Sequence, residues 1–241
     1  MVTEILPFNS ASRIKNLIID IHKNSYSRIC EYWGDTFQLG NTLGASDANI
    51  KLSLLNSMKE VDRFSQDISK YNRNFPNDLC QRILMRLREI FNPDIRDLEV
   101  VEIKKLITPD LLYTLDSFIY MIPSDGRWLS PGDLIYIYNL ISFLEDQIKT
   151  STSQHEKSFL VDSIEIFMKL IVFYRINGNA AYNEYAMLAV EMIFVRKELL
   201  LEFKDNESIK CLKNIWRHFF YLVAEENKII DTSEFFSKLS V

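Results

Sequence analysis

The sequence predicts an all-α protein, an antiparallel bundle of about nine or ten helices, from three observations. Helix breakers are few and early: of six glycines and six prolines, no proline follows Pro131, and beyond Gly132 the only glycine is Gly178. Hydroxyl and acidic residues stand where helix N-termini need caps. Apolar residues recur at steps of three and four, the spacing of one helix face.

The capping signals set the starts. Thr108-Pro109 and Ser130-Pro131 each put a capping hydroxyl before a proline at the first helical position. Ser153 with Glu156, and Asp231 with Glu234, have the capping-box spacing. Asn177-Gly178-Asn179 reads as a helix end, with Gly178 in the left-handed conformation. Helices are therefore predicted over about 10–32, 47–72, 77–91, 98–106, 109–121, 131–149, 154–176, 180–204, 208–226 and 232–239.

Leu160, Ile164, Phe167, Ile171 and Tyr174 form one apolar stripe. The next helix is apolar over a wider arc, with Tyr182, Tyr185, Ala189 and Met192, and is expected at the centre of the core. Short turns make successive helices antiparallel neighbours. A solenoid of helix pairs is the alternative, although no repeat of fixed period is present. One domain over 1–241 is expected, with possible subdomains 1–106 and 107–241. Residues 34–46 hold three glycines and no lysine or arginine, and read as a loop that either binds or merely connects.

Composition narrows the class. The chain is 47% hydrophobic and 25% charged, with a net charge of −5, which lacks the basic footprint of a general nucleic-acid binder. The first residues carry neither a basic stretch nor a continuous apolar run, so no secretory signal is expected. The best uncharged apolar run, Leu134 to Leu144, is about half of a bilayer span, so no membrane span is expected. Cys30, Cys80 and Cys211 are distant and odd in number, and read as free thiols of a cytoplasmic protein.

Motifs that carry chemistry are nearly absent. Helical di-iron sites need Glu-x-x-His, but Ile19, Thr152 and Ile215 precede His22, His155 and His218 by three. The cysteines and histidines lie too far apart in sequence for the usual zinc spacings. No arginine stands ahead of a histidine as in helical HEPN ribonucleases. Neither phosphate-binding glycine pattern occurs, nor does the G-x-S-x-G elbow. Asn227 to Phe235 echoes the exit of an EF-hand, yet Val223 and Lys228 fall where that loop requires Asp and Gly. Ser124 to Leu134 echoes it more loosely, and both segments are similar to a turn of TerB-like helical domains, over these two turns alone. Helix N-caps account for both segments. No cofactor, metal site or catalytic residue is predicted.

What remains is surface. Glu184, Glu191 and Glu198 repeat every seven residues along one helix face, with Arg175, Arg196 and Arg217 as expected counter-charges. Arg82 and Arg86 share another face. Tyr32, Trp33, Phe37, Leu39 and Trp128 stand in or beside loops as aromatic and apolar anchors expected to be exposed. These residues predict a non-catalytic protein–protein interaction module, an adaptor or accessory subunit, with a homo-oligomer also compatible. Composition alone suggests one specific form, a component of a bacterial immunity or defence system. A ligand sensor or enzyme would instead draw on Arg175, Tyr182, Arg196, Arg217 and His218 between helices. Association with nucleic acid ranks third.

Overall fold

The computed structural model describes residues 7–37, 47–72, 75–95, 98–126, 128–151, 153–196 and 207–224. Among them are ten α-helices and no strand, so the chain is all-α. The helices are α1 (Ser10–Lys23), α2 (Ile29–Phe37), α3 (Asp47–Tyr71), α4 (Asn77–Ile90), α5 (Val100–Leu106), α6 (Pro109–Met121), α7 (Pro131–Thr150), α8 (Gln154–Asn177), α9 (Asn179–Val195) and α10 (Glu207–Ala224). No described helix is long and apolar enough to cross a membrane. The expected helix over 232–239 lies outside the described residues.

Two compact units divide the chain: Met1–Asp125 with Val172–Ala181, and Gly126–Ile171 with Tyr182–Val241. In the first, α1 packs on α3, α5 and α6, and α3 also packs on α2 and α4. Its core is aromatic: Trp33, Phe64, Phe91 and Phe118 are fully buried, and the Phe118 ring meets Phe64 at 5.5 Å and Phe75 at 5.0 Å. The Phe64–Phe118 pair is edge-on, and such pairs add about 0.5–1.5 kcal/mol beyond simple burial. In the second unit α7 packs on α10, with Ile137, Ile141 and Leu144 facing inward from one and Ile209, Leu212 and Ile215 from the other. The stripe Leu160, Ile164, Phe167, Ile171 and Tyr174 is buried throughout α8.

The chain departs from the sequence reading at its first helix. A single helix was predicted over 10–32, but residues 24–28 are not helical. Asn24 is extended, and the next residues form a short backbone pairing, with Ile29 N donating to Leu98 O at 3.2 Å and Val100 N donating to Ser27 O at 2.9 Å. Glu31 accepts from the amides of Ser27 and Arg28, which satisfies donors that a new helix start leaves open. The break is thus set by a partner some seventy residues away in sequence.

Caps behave more variedly than their spacing implies. Ser130 forms a reciprocal capping box with Asp133, whereas Thr108 makes no side-chain cap and binds Arg86 instead. Ser153 accepts from Glu156 N, while the Glu156 carboxylate takes the Ser151 hydroxyl. An unforeseen box, Asn9 with Ser12, starts α1. The Asn9 amide also donates to Ile119 O and Ile122 O, fastening the start of α1 to the end of α6.

The inward side expected of α9 is found, but the helix is not buried all round. Ala181, Tyr182, Tyr185 and Ala189 are buried, but Met187, Leu188 and Val195 are exposed. Among the described residues, the preceding helix α8 carries more of the buried apolar side chains, running from Phe159 to Ile176. Apolar breadth in a sequence does not distinguish a buried helix from one that keeps an apolar face outward.

Candidate functional site

At about 100° per residue, Met187, Glu191, Glu184, Val195 and Leu188 of α9 fall within an arc of about 100°. All five are exposed, Val195 at 79% and Met187 at 56%. Along the axis the order is acid, two apolar residues, acid, apolar. Residues 182–195 contain no lysine or arginine. The opposite side of the helix is buried through Tyr182, Tyr185 and Ala189. Burial together with the nearby Glu184 carboxylate pushes the Tyr185 hydroxyl pKa above its ordinary value, so it stays neutral. Arg196, at the end of α9, is tied to Asp162 of α8 at 2.5 Å.

The other predicted site residues are scattered. Tyr32 and Trp33 are not exposed anchors: they are 5% and 0% exposed and belong to the core, meeting edge-on at 5.0 Å. Phe37 closes α2, and Leu39 and Glu198 lie outside the described residues. Trp128 is half-buried. Arg82 is exposed and 3.7 Å from Asp78 on its own helix. Arg86 is spent at the start of α6, donating to Thr108 Oγ1 at 2.6 Å and to Asp110 Oδ2 at 2.9 Å.

The pocket candidates face separate carboxylates. Arg175 lies 3.8 Å from Asp20, Arg196 pairs with Asp162, and His218 stands 3.6 Å from Asp133 with its ring against Tyr136. Tyr182 is buried and Arg217 exposed. Among the described residues no group of three or more His, Cys, Asp or Glu could hold a metal ion.

Sequence reasoning missed the most unusual polar group of the first unit. Arg13 is fully buried and donates through Nε and Nη2 to Glu60 Oε1, at 2.9 and 2.6 Å. Its other edge makes a two-point bond to Asp125, at 2.5 and 2.8 Å. Arg63 lies 3.6 Å from Asp125 and 3.9 Å from Glu60, and donates to Asn177 O. The Phe8 ring covers the guanidinium at 4.7 Å and stacks on Tyr174.

Burial works against the Arg13 cation, but Glu60 and Asp125 outweigh it and hold its pKa above the ordinary value. Burial likewise pushes the Glu60 carboxyl up, with Arg13 and Arg63 pulling the other way. Two carboxylates and two guanidiniums balance, and Glu60 and Asp125 take four of the five N–H donors of Arg13. The arrangement suits a structural clasp better than a reacting centre.

The chain matches no family model, no curated protein and no solved structure. The α9 face is one described surface where apolar exposure and acidic residues share a helix side.

Proposed function

We propose that this chain is a non-catalytic protein–protein interaction module, an adaptor or accessory subunit that docks a partner on α9. The observation that carries the reading is the set of exposed Met187, Leu188 and Val195 on the same arc as Glu184 and Glu191. A single apolar residue on a surface needs no explanation, but several exposed on one helix side among charged residues suit a site of association. The buried side of α9 holds the helix in place, so the outward side is presented on a fixed scaffold rather than on a loop.

Affinity purification of the tagged full chain from its native host tests this, beside the variant Met187→Ser, Leu188→Ser, Val195→Ser. The expected result is a stoichiometric protein partner on the natural chain and its loss from the variant. A lone chain in both preparations overturns the reading.

A further inference from the structure

We propose that a second copy of this chain docks on α6, the two α6 helices lying antiparallel about a two-fold axis between Asp116 and Ser117. The inference goes beyond the α9 reading, because α6 is a different helix and belongs to the first unit. Tyr113 and Tyr120 are 72% and 61% exposed and stand seven residues apart. At about 100° per residue, Tyr113, Asp116, Ser117 and Tyr120 share an arc of about 100°. Leu111, Leu115, Phe118 and Ile119 bury the opposite side, so the tyrosines ride on a fixed element. The Ser117 hydroxyl donates to Tyr113 O of its own helix, which leaves a short side chain between the two rings. The face is two aromatic ridges with a notch between them.

That pattern reads the same from either end of the helix. Tyr113 and Tyr120 are equally far from the midpoint, so in an antiparallel pair each Tyr113 meets Tyr120 of the other copy. A two-fold contact needs this self-complementarity, in which one residue meets a second and the second meets the first. Tyrosine suits it, since its ring supplies large contact area at low entropic cost. Charge then selects the second copy over other occupants. The Asp116 carboxylate is paired with the Lys15 amine of α1, which packs on α6, and Asp110 is paired with Arg86. Each carboxylate of the face thus has its own cation. A strongly acidic or basic partner, nucleic acid included, finds no excess charge there to match. A two-fold axis through the face instead sets one Lys15–Asp116 pair head to tail against the other, so each cation gains a second anion.

Analytical ultracentrifugation of the full chain, from about 1 μM to about 1 mM, tests this. The contact is small, as in transient complexes, so a concentration-dependent equilibrium between monomer and dimer is expected. Tyr113→Ser with Tyr120→Ser is expected to weaken the dimer by at least about tenfold. The α9 variant Met187→Ser, Leu188→Ser, Val195→Ser is expected to dimerise as the natural chain does, which separates this contact from the α9 face. Lys15→Glu leaves two anions at the centre of the face, and Asp116→Lys leaves two cations. Each is expected to lose self-association through like-charge contact, and an equimolar mixture of the two to regain it. Circular dichroism shows that the variants keep their helices. A chain that stays monomeric over the whole range overturns the inference. So does a dimer that survives the tyrosine variant, or a mixture that associates no better than either charge variant alone.

Discussion

Gly178 lies against the buried guanidinium of Arg13: a Cβ at position 178 would stand 2.6 Å from Arg13 Nη1 and 3.2 Å from the Phe8 ring. Its backbone is also left-handed, with φ 57°, where glycine alone is unstrained. The two observations share one cause. Gly178 N closes the end of α8 on Tyr174 O, and the turn that follows brings Asn179 to donate to Asp125 O. Asp125 in turn holds Arg13. The helix end and the ionic clasp are therefore one construction, and the clasp needs position 178 free of a side chain.

Gly178→Ala is accordingly expected to destabilise the chain by more than the roughly 1–2 kcal/mol of backbone strain alone. The excess comes from displacing Arg13. Thermal or denaturant unfolding measures it, and the same substitution in an Arg13→Met background should cost less, because a flexible methionine can yield. Equal costs in the two backgrounds would show that the two residues do not couple.

Removing one partner of the clasp differs from removing both. Glu60 is fully buried, so Glu60→Ala leaves a buried cation with half of its partners and is expected to cost about 3–5 kcal/mol. Arg13→Met with Glu60→Leu removes the charge and its counter-charge together, and buried pairs replaced this way are often neutral or more stable. The double variant should unfold later than Glu60→Ala. If it unfolds earlier, the apolar pair does not fill the space.

Much of the fold was legible because helix signals are local. The helix predicted over 109–121 is found with those bounds, and Gly178 adopts the conformation its neighbours implied. What was not legible depends on distant partners. Nothing near Ser27 announces a pairing with residues 98–100, and nothing near Arg13 announces Glu60 or Asp125. Trp33 reads as exposed because it precedes a glycine-rich stretch, yet it faces the core of the first unit. In the candidate site, the seven-residue spacing of Glu184 and Glu191 was visible. The exposure of Met187, Leu188 and Val195 was not, since the same residues would serve equally as core.

Asp110 gives a pH dependence with a definite sign. Hydrogen bonding from Thr108, joined by the charge of Arg86, holds its carboxyl below the usual carboxylate range. A depressed folded-state pKa stabilises the fold above the unfolded value, and that contribution disappears as pH falls through the folded value. Asp110 is largely exposed, so solvent screening keeps the effect small. Asp110→Asn should lower the melting temperature by about 1–2 °C at neutral pH. The difference should close as pH falls below about 4, near the ordinary aspartate value. A gap that persists at lower pH would show that the lost interaction is not that of the charged form.

The two sides of α9 should separate stability from association. Glu184 and Glu191 are exposed, and exposed substitutions usually change stability by no more than about 0.5 kcal/mol. Glu184→Lys with Glu191→Lys should therefore melt close to the natural chain, while altering whatever docks there. Tyr182 and Ala189 lie on the buried side of the same helix. Ala189→Glu would place an unpaired carboxylate in the core and is expected to cost several kcal/mol, enough to unfold a marginal domain. Calorimetry on both variants, beside the natural chain, measures the contrast. Comparable melting losses on the two sides would mean that the outward face of α9 is also bound up in the fold, and would withdraw it as a surface presented for a partner.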